Sequence, residues 1–190
     1  MNCGLEMNAP SAELIALLRL HAGLKGVWQP TLYAKGRSIE RREDAPPRLV
    51  IVEEGLVKLS FVSLDGNERV KAFIAAEGLF DQIGSEGEPV VEATCLEPTR
   101  AITLTLSWAR TLASSHADVQ QAVDAFWLWL NAKKRLRESA LLCSTPLDRY
   151  RAFQTDEAAL AARISQGDTA RYLGVTPIAF SRIKRRSLSP

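Results

Sequence analysis

The sequence predicts an α+β chain: an N-terminal antiparallel β jelly-roll, one long helix and a small all-α C-terminal unit. Three observations carry this. Short β-branched runs recur between turn signals from about Leu32 to Leu106, an uninterrupted helical pattern runs from about Ala117 to Cys143, and two closely spaced capped segments follow between Ile164 and Arg186. The corresponding divisions are 1–116, 117–143 and 144–190.

Ahead of the β-rich stretch, Leu14, Leu17, Leu18 and Ala22 fall at helical spacing behind Ser11 and Glu13, which predicts a short amphipathic helix from about Ser11 to Leu24. The runs LVIVEE, LVKLSFVSL, ERVKAFI, PVVEAT and RAITLTL come next. They are separated by Lys35-Gly36, Pro46-Pro47, Glu54-Gly55, Asp65-Gly66-Asn67 and Glu77-Gly78. Regular spacing of this kind, with an Asp-Gly hairpin at Leu64 to Glu68, points to an antiparallel double sheet or jelly-roll barrel, and no part of it reads as a long helix.

In the long helix Val119, Val123, Phe126, Leu130, Leu136 and Leu141 form an apolar stripe, with Trp127 and Trp129 on neighbouring faces. Roughly 27 residues span about 40 Å, more than a small barrel needs as cover, so the pattern predicts a homodimer paired in parallel along this element. The helix should stop at Cys143-Ser144, because Thr145 caps a new helix at Pro146 and Asp148 completes a capping box. Leu147, Tyr150, Phe153, Leu160 and Ile164 are spaced to pack under the last two helices as a three-helix unit.

The segment ISQGDTARYLGVTPIAFSRIKRR has the form of a helix-turn-helix. Ser165 and Asp168 start the first helix, Thr176 and Pro177 start the second, and Gly174 sits where the turn needs a positive φ. Ala170, Leu173, Val175, Phe180 and Ile183 would hold the two helices together. Ser181, Arg182, Lys184, Arg185 and Arg186 are left for a polyanion. Charge agrees: residues 1–132 hold 12 Lys+Arg against 17 Asp+Glu, a net −5, whereas residues 133–190 hold 12 against 5, a net +7. An acidic scaffold followed by a basic module suggests a nucleic-acid partner.

Several classes are disfavoured. Cys3, Cys95 and Cys143 are too scattered for a disulfide framework, a Cys-x-x-Cys metal site or an iron-sulfur cluster, and fit a reducing cytoplasm. His21 and His116 are the only histidines and leave little general-base chemistry, and neither a Ser-His-Asp set nor a phosphate-cradling glycine loop is present. No metal site and no enzyme are expected. Without a leader pattern or a membrane-length apolar run, a soluble cytoplasmic protein with no membrane partner is expected.

Taken in order, YAKGRSI, EEGLVKL and SLDGNE in the barrel, PLDRYRAF after the hinge and the helix-turn-helix segment resemble the Crp/Fnr family of bacterial regulators, over about Leu14 to Arg186. The resemblance implies a cyclic nucleotide-binding-like barrel, a homodimer on double-stranded DNA at an inverted-repeat operator, and RNA polymerase as a further partner. With only Ser187 to Pro190 after the second helix, the chain resembles members that have no hairpin wing. The family's cyclic-nucleotide cassette is a Gly-Glu-Leu followed about ten residues later by an Arg-Ser or Arg-Thr pair. Here Asp81, Gln82 and Ile83 take the first place, Gly87, Glu88 and Pro89 take the second, and no arginine lies between Arg69 and Arg100.

The lost phosphate contact is worth about 1.5–3 kcal/mol, so cyclic nucleotide is not expected as a cofactor. Two alternatives stand for the degenerate pocket, with Asp81, Gln82, Ile83, Glu88, Val90, Trp127 and Asn131 as candidates: it takes an uncharged or cationic effector, or side chains fill it. For DNA the second helix offers Pro177, Ile178, Ser181 and Arg182 to base edges, and Thr176, Lys184, Arg185 and Arg186 to phosphates. The alternative reading is a small-molecule sensor whose helix-turn-helix docks protein instead.

Overall fold

A computed structural model of the chain describes residues 9–40, 45–63, 66–83 and 91–187. The predicted Asp65 corner of the hairpin and the pocket candidates Glu88 and Val90 lie outside the described residues. Helix α1 (Ala9–Leu24) leads into β1 (Pro30–Tyr33), β2 (Arg48–Glu54), β3 (Leu56–Val62), β4 (Glu68–Ala75), β5 (Gly78–Gln82), β6 (Val91–Cys95) and β7 (Thr99–Thr105). Six further helices follow: α2 (Leu106–Ser115), α3 (Ala117–Cys143), α4 (Pro146–Asp156), α5 (Ala158–Ala161), α6 (Gln166–Tyr172) and α7 (Pro177–Ser187).

The strands form two antiparallel sheets, ordered β1-β7-β2-β5 and β4-β3-β6, which face each other as the predicted jelly roll. Period-two alternation assigns the cores. Val50 and Val52 of β2 and Val57 and Leu59 of β3 meet Phe80, Ala93 and Ala101 between the sheets. Leu49 and Ile51, on the other face of β2, join Ile102 and Leu104 beneath Leu14, Leu18 and Ala22 of α1 and Val119, Ala122 and Phe126 of α3. The remaining outward face, on β3 and β4, is covered by the C-terminal helices: Leu56, Phe73, Ala75 and Leu96 pack with Tyr150, Phe153, Leu160, Leu173 and Phe180.

Four expectations change. The GLFDQ stretch forms β5 and PTLY forms β1, so the described sheets hold two strands beyond the five predicted runs. Both are short, and β5 ends in Asp81 and Gln82, which hide its apolar half. Residues 106–115 are helical: Leu106, the last residue of the predicted run RAITLTL, begins α2, and Thr105 N-caps it by accepting from the Trp108 amide at 3.4 Å. The unit after the hinge has four helices rather than three, because α4 ends at Glu157 and a separate short α5 follows it. Finally, Leu147 stands outside the cluster it was predicted to join.

Candidate nucleic-acid interface

Three of the four helices of the C-terminal unit, α4, α6 and α7, start where their caps dictate. Thr145 Oγ1 accepts from the Asp148 amide at 3.2 Å and donates to Asp148 Oδ2 at 2.6 Å. Ser165 and Asp168 repeat the arrangement at 3.0 and 2.7 Å, and Thr176 Oγ1 accepts from the Ala179 amide at 3.2 Å. In both carboxylate pairs the acid accepts the hydroxyl's hydrogen bond, so the hydroxyl is turned with its lone pairs toward the helix.

The turn is closed with equal economy. Gly174 has φ +70°; its amide donates to the Arg171 carbonyl at 3.4 Å, and the Val175 amide donates to the Ala170 carbonyl at 3.0 Å. This is the paired-bond helix ending that a left-handed residue permits, and Val175 and Ala170 supply its usual apolar contact. Arg149 fixes the hinge on the same turn: its guanidinium donates to the Ser144 carbonyl at 2.7 Å and to the Leu173 carbonyl at 3.1 Å.

Helix α7 is thereby held by one face only. Phe180 is buried edge-on against Tyr150 at 5.3 Å between ring centres, with Ile183 beside it. One turn either way, Ile178, Ser181, Arg182 and Arg185 point outward, and Ile178 is 70% exposed. Thr176, Pro177 and Arg186 are exposed as well, and Lys184 is half-buried along the edge. The eight predicted DNA-facing residues therefore share one short helix and its cap. That helix carries four cations and no acid.

The effector-pocket candidates are arranged differently. Asp81 and Gln82 end β5, and the Gln82 side-chain amide donates to the Ile39 carbonyl at 2.7 Å, which ties β5 to the segment after β1. Ile83 follows them and is 41% exposed. Trp127 and Asn131 face outward from α3, and the Lys134 ammonium stands 5.9 Å from the Trp127 ring centre. Two open grooves lie elsewhere, along β1: one is lined by Tyr33, Gly36, Arg37 and Glu40, the other by Leu32, Glu54, Thr99 and Arg100.

Residues that sequence reasoning missed fasten this unit to the barrel. Lys58 of β3 reaches Glu68 Oε1 at 2.6 Å and Asp168 Oδ1 at 3.0 Å, while Arg171 reaches Glu68 Oε2 at 3.3 Å and Asp168 Oδ1 at 3.4 Å. Burial alone would raise both carboxyls. Lys58 and the serine hydroxyls of Ser60 and Ser165 overcome it and hold Glu68 and Asp168 below the usual carboxylate range. Burial would likewise lower Lys58, and the same two acids overcome that and raise it.

From α3, Arg137 donates to the Val70 and Tyr172 carbonyls, each at 2.9 Å, and lies 3.9 Å from the Tyr172 ring centre. Tyr172 donates to Glu157 Oε1 at 3.1 Å. Burial raises both of these groups, assisted at Tyr172 by the Glu157 charge and opposed at Glu157 by the tyrosine bond. Arg163 completes the junction with Glu97 at 2.7 Å and the Gly55 carbonyl at 3.0 Å. No local pattern signals these partners, since Lys58 and Asp168 are 110 residues apart and a lysine on an outward strand position ordinarily faces water.

No family model and no curated protein matches the sequence. Solved structures do match the fold. FixK2 from Bradyrhizobium japonicum is 20% identical, with 84% of each chain covered and a TM-score of 0.71. A CooA double mutant from Carboxydothermus hydrogenoformans is 13% identical, covering 86% of this chain and 78% of that one, with a TM-score of 0.71. CLP of Xanthomonas campestris, described as a c-di-GMP-responsive global regulator, is 15% identical over 90% of this chain and 91% of its own, with a TM-score of 0.65.

Proposed function

Starting from a chain with the fold of the Crp/Fnr transcription regulators, we propose that this protein is a sequence-specific DNA-binding regulator acting as a homodimer. The observation that carries the reading is the outward face of α7: Ile178, Ser181 and Arg182 are exposed there, with Arg185 on the same side, while Phe180 and Ile183 anchor the reverse side. An α-helix so mounted fits a major groove, and Arg182 has the fork to hold guanine O6 and N7. Thr176, Lys184, Arg185 and Arg186 are assigned to phosphates. Pro177 and Ile178 offer few hydrogen bonds, so much of the specificity is assigned to DNA shape.

Dimerisation is assigned to α3. Its first half is buried in the subunit through Val119, Ala122 and Phe126, but Leu128 is 73% and Leu142 is 77% exposed, with Trp127, Leu136 and Leu141 also open. A water-facing apolar series of this length along one helix is what a partner helix covers. Pairing two copies there would present two α7 helices to an inverted repeat with half-sites about 34 Å apart. The divisions 1–116, 117–143 and 144–190 then correspond to sensor barrel, dimer helix and DNA-binding unit.

In the sensor, the sequence offers no arginine between Arg69 and Arg100 to clamp a cyclic phosphate. The regulator is accordingly assigned an effector other than cyclic nucleotide, or none. Salt dependence tests the DNA reading: with several phosphates neutralised, log K should fall against log[salt] with a slope near −0.9 per phosphate contact. A flat dependence would instead favour a helix-turn-helix that docks protein.

A further inference from the structure

The charged junction between barrel and helix-turn-helix is a closed ring. Lys58 and Glu68 come from strands β3 and β4, and Asp168 and Arg171 from helix α6. Around the ring the charges alternate: Lys58 touches both acids, and so does Arg171. The four carboxylate oxygens are all engaged, Glu68 Oε1 also by Ser60 at 2.7 Å and Asp168 Oδ2 by Ser165 at 2.7 Å. The Lys58 and Asp168 side chains are each only 11% exposed.

An ammonium taken out of water this far is tolerable only against its acids, so the ring has one good state, docked, and removing Lys58 leaves two acids to share the single cation Arg171. Asp168 is shared between two tasks, since it also sits in the cap that starts α6. The barrel thus grips the helix-turn-helix by the residue that sets the path of its first helix. The readers on α7 stay uncovered in this docked state.

We infer that the Lys58–Glu68–Asp168–Arg171 ring is a positioning device for DNA binding, fixing the recognition helix against the barrel so that both readers of a dimer meet an inverted repeat at one spacing. The inference rests on the DNA-binding reading above. A two-site binder gains affinity from the effective concentration of its second reader, and that concentration falls when the reader's mount becomes loose. Loss of Lys58 should therefore weaken binding to a complete inverted repeat while leaving affinity for a single half-site unchanged, because the DNA-binding reading assigns Lys58 no contact with DNA.

The test compares wild-type protein with Lys58→Met, Lys58→Arg and the more peripheral Arg171→Gln, the last serving if Lys58→Met does not fold. Hydrogen exchange comes first and needs no DNA. Faster exchange confined to α6 and to β3 and β4, with α1 and β7 unchanged, is expected for Lys58→Met, and a uniform rise over the chain would show a merely structural role and overturn the inference. Affinities for duplexes bearing a complete inverted repeat or one half-site come second. The ratio between them should drop about tenfold or more for Lys58→Met and be largely restored in Lys58→Arg. An unchanged ratio, or tighter binding to the complete repeat, would overturn it. Should wild-type protein bind no duplex, the DNA reading falls, and the exchange pattern alone decides whether the ring holds the unit docked.

Discussion

Gly174→Ala isolates the physics of the helix-turn-helix at one atom. At φ +70° an L-residue meets its own carbonyl, which costs about 1–2 kcal/mol. The new methyl would also come 3.3 Å from Leu141 Cδ2, the far end of a flexible side chain that is 41% exposed and free to swing aside. Backbone strain therefore dominates and contact contributes little, so a loss of about 1–2 kcal/mol is expected. Urea unfolding followed by far-ultraviolet circular dichroism measures it: the midpoint should fall with the slope unchanged. In the cycle with Leu141→Ala the two effects should add to within about 0.5 kcal/mol, and Gly174→Asn should cost less than Gly174→Ala. A Gly174→Ala protein within about 0.5 kcal/mol of wild type would refute the assignment of strain to this turn.

Arg182→Ala should weaken operator binding by about 1–3 kcal/mol and relax preference at one base position, with sedimentation showing the dimer intact; equal affinity would remove Arg182 from the readers. Glu157→Gln should stabilise the protein at neutral pH. The folded-state pKa of Glu157 is raised by burial, so the folded chain binds the proton more tightly and its stability falls as pH rises from the usual carboxylate value through the raised one. The Gln variant should lose that dependence, and an unchanged profile would contradict it. Glu68 and Asp168 act with the opposite sign: their pKa values are depressed, so their contribution is full above the ordinary carboxylate range and is lost as pH falls through the folded values. Thermal unfolding between about pH 5 and pH 2 should show this loss in wild type and much less of it in Lys58→Met. Leu128→Glu, at a position 73% exposed, should give a folded monomer by light scattering; a persistent dimer would place the interface elsewhere.

What the sequence made legible was local. The three caps, the Gly174 turn and the packed set of buried Ala170, Leu173 and Phe180 with half-buried Val175 and Ile183 depend on neighbours within a few residues, and each falls where spacing requires. The β-branched run LVIVEE between turn signals likewise foretold a strand, although not which elements would cover its two faces. Strand β5 escaped because five residues ending in Asp81 and Gln82 carry too little period to register, and α2 escaped because its Thr105 cap also finishes a strand. The ring at Lys58 had no signal. Its partners meet through the tertiary fold, and a lysine set between Val57 and Leu59 reads as solvated until helix α6 is placed over it. Of the candidate site, the exposed side of α7 proposed to read DNA was visible because one amphipathic helix and its cap carry it, whereas a pocket drawn from β5 and α3 depends on packing that spacing does not encode.

Selection from a library of random duplexes by the purified protein, with no ligand added, tests the central claim most directly. A sequence-specific homodimer should enrich an inverted repeat whose half-sites lie about one helical turn apart. Retention of no sequence above background by a folded dimer would contradict it.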